Sequence, residues 1–420
     1  MAGHPISLVV TDDLRRSRLT VFFRLVLAIP HVIWVWIWSL AAFTAAFIAW
    51  LIALVTGRVP GGLHEFIALY TRYLTHLFAY LTLAANPYPG FVGEEGSYPI
   101  DVKIGPAVAQ SRWKTLFRPF LAIPALLLLL PFVGRGPLSW WPFGPVPYYD
   151  GIQGTAAFLG WFASLATGKM PAGFRNGSSY TLRYTAQSYG YLFMLTDVYP
   201  DSTPATDLPG SPPSRVVGLA VDDDLRRSRL TVFFRLLLAL PHFIWLVLWN
   251  IVAMLAMIVN WIATLVAGRS PQSLHRFLSA FVRYQSQLWA FVFLIANPFP
   301  GFTGAPGTYP VEATSWEAED QSRWITLGRL ILVFPAALMS APLSFALMTV
   351  GILGWFASLV LGRMPSGMRD LGAYALRYQA QVNAYYYVLT DEYPYSGPEL
   401  GTPSPAELEG TSEAPEPLLA

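Results

Sequence analysis

The chain has 420 residues, 54% of them hydrophobic and only 12% charged, and its 27 Lys and Arg nearly balance 25 Asp and Glu. A soluble domain carries about 25% charged residues, so this composition points to lipid, and a formal charge of +2 gives no electrostatic case for nucleic acid. Cysteine is absent, which excludes disulfides, thiolate metal sites and cysteine nucleophiles together.

The first residues, Met1 to Arg18, hold the alternating run Ile6-Ser7-Leu8-Val9-Val10 and two Asp ahead of any basic cluster. A signal peptide is basic first and apolar next, so targeting is expected from the first spanning segment instead. Residues 12–25, DDLRRSRLTVFFRL, return unchanged at 223–236, an offset of 211 that marks a tandem duplication. A second repeat lies inside each half. Arg24 and Pro30 recur as Arg118 and Pro124, and Arg235 and Pro241 recur as Arg329 and Pro335, each at an offset of 94. Four units of about a hundred residues result: 1–105, 106–200, 215–315 and 316–395, with a linker at 201–214.

Within each unit the order of signals is fixed. The apolar stretch of the first runs from Leu19 to Val55, with Arg24 and His31 as its only strongly polar interruptions. As one helix it is roughly 55 Å long at 1.5 Å per residue, against a bilayer core of about 30 Å. It is therefore either two short spans or one span with an interfacial piece. The second unit has extra residues at 133–151, rich in Gly, Pro and Trp, which cannot sit unpaired in mid-bilayer. We read them as a surface turn, giving a two-span hairpin per unit. Arg15, Arg16 and Arg18 at the entry and Arg58, Lys169, Arg269 or Arg363 at the exits place both ends in the cytoplasm.

A Trp stands seven residues before a Gly-basic-x-Pro stop in every unit: Trp50 and Gly57, Trp161 and Gly168, Trp261 and Gly268, Trp355 and Gly362. A third helix follows. In the first unit its apolar face is Leu63, Phe66, Ile67, Tyr70, Leu74 and Leu77, and its polar face includes His64, Arg72 and His76. We expect it to lie in the cytoplasmic interface, with a third span left open for the apolar copy at 281–296. Runs at 6–10, 98–104, 216–221 and 309–313 read as short cytoplasmic strands. From 396 the chain holds Glu399, Glu407, Glu409, Glu413 and Glu416 and no basic residue, the composition of a disordered acidic tail that can meet a protein partner.

Leu27-Ala28-Ile29-Pro30-His31, then Thr56-Gly57-Arg58, then Arg72-Tyr73, with Thr196-Asp197 and Tyr199-Pro200 in the second unit, resemble the bacterial membrane family catalogued as domain of unknown function 4389. The resemblance implies an integral membrane protein of unassigned activity. The even units depart from it with Pro124-Ala125 and Pro335-Ala336 in place of Pro-His. The odd ones carry Asn86 and Asn297 where the even ones carry Asp197 and Asp391.

Eight arginines are the candidate lipid- or partner-binding residues. Arg24, Arg118, Arg235 and Arg329 lie inside the apolar stretch, where a guanidinium either holds a lipid phosphate or snorkels to set helix depth. Arg72, Arg183, Arg283 and Arg377 each have His76, Gln187, Gln287 or Gln381 four residues on. That stripe faces headgroups, a partner or a cavity, or is simply a solvated face. Asp197 and Asp391 are candidates to pair with this second set. His31, His64, His242 and His275 lack metal-ligand spacing; Ser17 has no base nearby, and no phosphate-binding loop is present.

No catalytic residue, metal or cofactor is expected. The expected fold is all-α and integral to the plasma membrane, multi-pass, with both termini cytoplasmic. The function expected is non-catalytic organisation of lipid, anionic headgroups included, or of a protein partner. The alternative is a transporter or channel built from internal repeats, for which Asn250 and Asn260 are the mid-helix polar groups.

Overall fold

The computed structural model describes residues 3–134, 151–204, 208–209, 216–313 and 318–398. The acidic tail from 399 and the insertion from 135 to 150 lie outside the described residues. The chain divides into two compact halves, one built on residues 1–211 and the other on 212–340 and 350–395. The first contains β1 (Ile6–Val10), α1 (Arg18–Leu27), α2 (Ile29–Thr56), α3 (Gly61–Leu81), β2 (Ile100–Ile104), α4 (Arg112–Leu121), α5 (Ile123–Val133), α6 (Ile152–Thr167) and α7 (Ala172–Leu192). The second contains β3 (Leu219–Val221), α8 (Arg229–Ala267), α9 (Gln272–Val292), β4 (Val311–Ala313), α10 (Arg323–Leu361) and α11 (Ser366–Tyr386).

Among the described residues, the hairpin tip expected within the apolar stretch does not form in the first, third or fourth unit. α8 and α10 are unbroken over 39 residues each. In the first repeat the only break falls at Ala28, beside Pro30, where the missing N–H weakens the ladder. No glycine punctuates α2 or α8, so nothing locally favours a turn. Three helices, α2, α8 and α10, are long and apolar enough to cross a membrane, and the pair α4 and α5, bent by 41°, is a fourth if taken as one.

Gly134 and Gly151 touch, so closely that a Cβ on Gly151 would collide with the Gly134 nitrogen and the Val133 carbonyl carbon. Tyr184 meets the Ala125 carbonyl and Trp161 the Val21 carbonyl. In the unbroken α10 the matching contacts are Tyr378 to Ala336 and Trp355 to Val232. α5 and α6 therefore continue one another across the point where Gly134 and Gly151 meet.

Each Gly-basic-x-Pro signal ends a long helix and starts the next. Gly57, Gly168, Gly268 and Gly362 take φ between +69° and +75° as left-handed caps. Pro60, Pro171, Pro271 and Pro365 then cap α3, α7, α9 and α11. These third helices are not laid out on an interface. Most of α3 is buried, from His64 and Ile67 through Arg72, Tyr73 and His76 to Leu81, and α7 is buried on nearly every side. The polar face meets protein, while the long helices carry the exposed apolar surface: Leu230, Leu236 and Val266 of α8 are each at least 65% exposed.

Within the first half the two repeats meet reciprocally. Arg16 N–H donates to Gly168 O at 2.9 Å, and Gln110 N–H to Gly57 O at 2.8 Å. Trp161 Nε1 donates to Val21 O and Trp50 Nε1 to Thr115 O. The start of each apolar run thus lies beside the end of the other, and the runs are antiparallel. β1 and β2 pair antiparallel, from Ile6 with Ile104 to Val10 with Ile100. The second half repeats this arrangement: Arg227 N–H to Gly362 O, Gln321 N–H to Gly268 O, Trp261 to Thr326 O, Trp355 to Val232 O, and β3 against β4. The short strands expected from the sequence are present, as two separate two-stranded ribbons.

Candidate functional site

A helix end leaves its last carbonyls without intrahelical donors. Four of the candidate arginines supply them. Arg24 Nη1 donates to Tyr80 O at 2.5 Å and Ala85 O at 2.9 Å, and its Nη2 to Asn86 Oδ1 at 3.3 Å. Arg118 binds Tyr191 O, Thr196 O and Asp197; Arg235 binds Phe291 O, Ala296 O and Asn297. Arg329 binds Tyr385 O, Thr390 O and Asp391. Each guanidinium also lies over an aromatic ring, 4.3–4.6 Å from the centroid: Tyr80, Tyr191, Phe291 and Tyr385. The aromatic before the closing Pro meets that ring edge-on: Tyr88, Tyr199, Phe299 and Tyr393.

These arginines are at most 2% exposed. They neither snorkel nor present a guanidinium to a headgroup; they are the C-terminal caps of the buried third helices. The bend they hold is strained. The residue just past each helix, Leu83, Met194, Leu294 or Val388, sits at φ between +60° and +68° with a bulky side chain. Its carbonyl is held in turn by Arg16 Nε, Gln110 Nε2, Arg227 Nη2 or Gln321 Nε2.

The second set is also directed inward. Arg72 donates to Val102 O of β2 at 3.0 Å and pairs with Glu95 at 2.8 Å. Arg183 donates to Thr203 O, Arg283 to Gly304 O at 3.2 Å, and Arg377 to Tyr395 O at 3.3 Å. Burial, partly offset by Glu312, lowers the pKa of Arg283. Asp197 and Asp391 do not pair with this set. Their partners are Arg118 and Arg329, with Lys114 also 3.1 Å from Asp197.

The tyrosine of each Arg-Tyr pair anchors the third helix to the long one. Tyr73 meets His31 Nδ1 at 2.9 Å and Tyr284 meets His242 Nδ1 at 3.0 Å, while Tyr184 and Tyr378 donate to Ala125 O and Ala336 O. The Pro-His and Pro-Ala variants are thus two ways of receiving the same hydroxyl. His64 reaches Leu195 O at 3.2 Å. Among the described residues no three His, Asp or Glu side chains come together as a metal site. Asn260, a candidate for a polar path, donates to Tyr387 O and Val388 O and accepts from Ser270.

The family model described as Domain of unknown function (DUF4389) matches residues 18–93, 229–303 and 323–396, more than half the chain. The chain belongs to this family. In each matched DUF4389 copy the buried arginine, the aromatic beneath it, the Trp and the left-handed Gly recur, so the residues shared by the copies of this chain form a cap and a packing lattice. The matches leave out the second repeat, yet Arg118 builds the same cap there. No curated protein and no solved structure matches the chain.

Sequence reasoning missed the residues that hold the bends: Arg16 with Asp12 at 2.9 Å, Arg227 with Asp223 at 2.7 Å, and Gln110 and Gln321. The repeated Asp-Asp-Leu-Arg-Arg string carried the signal, since it sets the acid and the second Arg four residues apart.

Proposed function

We propose that this is a non-catalytic integral membrane protein that gathers anionic lipid around its apolar helices. The observation that carries the reading is the exposed apolar surface of α2, α8 and α10, bounded at both ends by exposed cations. Arg15, Arg58 and Lys169 in the first half, and Arg226, Arg269 and Arg363 in the second, stand at helix starts or ends with their side chains open to solvent. The buried arginines hold the scaffold, and these outer ones meet headgroups.

A path for ions or solutes is disfavoured by the polar groups on the long helices. Ser39 bonds Tyr70 at 2.6 Å and Asn260 is saturated by its neighbours. The test is native mass spectrometry from mixed phosphatidylglycerol and phosphatidylcholine micelles. We expect retained phosphatidylglycerol, and its loss in Arg58→Glu/Lys169→Glu. Equal retention of both lipids would defeat the proposal, and ion flux from proteoliposomes would favour the channel.

A further inference from the structure

We infer that each half lies with its long helices along the membrane plane, sunk among the acyl chains of a single leaflet, with its strand side in water. The inference rests on the lipid-embedded reading above and fixes its geometry.

Level and exposure carry it. Tyr70 and Tyr73 of α3 bond Ser39 and His31, which flank the middle of the run 18–56. Between them in sequence, Arg72 binds β2 through Val102 O and pairs with Glu95, whose side chain is 55% exposed. The paired strand residues Ser7 and Lys103 are exposed as well. Charged, water-seeking groups therefore stand level with the centre of the apolar run, beyond α3. The second half repeats this: Tyr284 on His242 near the centre of α8, and Arg283 beside Glu312, 3.8 Å apart.

The full run measures roughly 58 Å at 1.5 Å per residue. Set upright and centred in a core of about 30 Å, it would hold Glu95 and Lys103 in hydrocarbon, where an open charge is costly. Sliding it by about 15 Å to free them would push half of the apolar run into water, with Leu40, Phe47 and Val55 exposed at one end or Leu19, Phe22 and Val26 at the other. Laid flat, the run meets every condition. Val26 and Val55, 61% and 74% exposed near its two ends, both enter the acyl layer. Arg15 and Lys169 at one end and Arg58 and Arg112 at the other reach headgroups on one surface. A single helix layer, roughly 10 Å thick, fits one leaflet.

The chain has no cysteine, so single-cysteine variants report cleanly. We would add Arg15→Cys, Arg58→Cys, Glu94→Cys, Lys103→Cys and Ile37→Cys proteins to sealed phosphatidylglycerol/phosphatidylcholine vesicles and treat them with a membrane-impermeant maleimide. The expected result is complete labelling of the first four from outside, with Ile37→Cys protected until detergent is added. Labelling of Arg15→Cys and Arg58→Cys from opposite sides, or protection of Glu94→Cys and Lys103→Cys, would overturn the in-plane placement while leaving the membrane reading intact. Failure of the wild-type chain to float with vesicles would remove both.

Discussion

Arg235 shows what one buried cation does here. Its guanidinium satisfies Phe291 O, Ala296 O and Asn297 Oδ1 at once. Arg235→Ala would leave the Phe291 and Ala296 carbonyls buried and unpaired, at a cost of about 1–3 kcal/mol each. Arg235→Lys should lose much of the same stability, because an ammonium cannot fork between the acceptors; thermal melts in detergent would rank the two. The odd repeats offer an amide where the even ones offer an acid. Asn86→Asp should therefore raise the melting temperature by giving Arg24 the counter-charge that Arg118 has in Asp197. His64 supplies a pH test. Burial, aided by Arg72, lowers its pKa below 6.5, while its bond to Leu195 O raises it less. A folded pKa below the unfolded one means that the unfolded chain binds more protons. The stabilising share is thus present above pH 6.5 and lost as pH falls below it. Melts from pH 7.5 to 5.5 should fall in the wild type and flatten in His64→Gln.

At the scale of the element, the long helices are set by how they stop and by what they bury. Gly268 takes φ +75° with only ordinary contacts around a would-be Cβ. Gly268→Ala should then cost roughly 1–2 kcal/mol from backbone strain alone, read as a lower melting temperature without change of fold. In three units the position before the Trp meets the residue two past the cap glycine: Gly160 and Met170, Asn260 and Ser270, and Gly354 and Met364. A Cβ on Gly160 or Gly354 would meet the methionine sulfur, so size trades across the pair. Asn260→Ala should cost about 1–3 kcal/mol by stranding buried carbonyls. Asn260→Gly with Ser270→Met should recover part of it, as a double-mutant cycle would show.

For the molecule as a whole, the reciprocal contacts inside each half outweigh the local pattern. Residues 112–133 and 151–167 together match the single helix α10, because Gly134 and Gly151 adjoin. Deleting residues 134–150 should therefore leave helix content and melting temperature close to wild type, measured by circular dichroism. A collapse on deletion would mean that the insertion ties two separate helices. The in-plane placement predicts an insertion on the same surface as both helix ends.

The sequence by itself determined the repeat, the helix ends, the four short strands and the apolar character of the long helices. These depend on local chemistry: a left-handed Gly, a Pro that starts a helix, alternation in a strand, and period in a run. Tertiary structure alone decided that the apolar stretch does not turn, that the third helices are core, and that eight arginines face inward. Composition states that a residue avoids or seeks water, but not whether protein or lipid covers it. An arginine inside an apolar run looks the same from the sequence whether its acceptors are a phosphate or the carbonyls of a helix end sixty residues away.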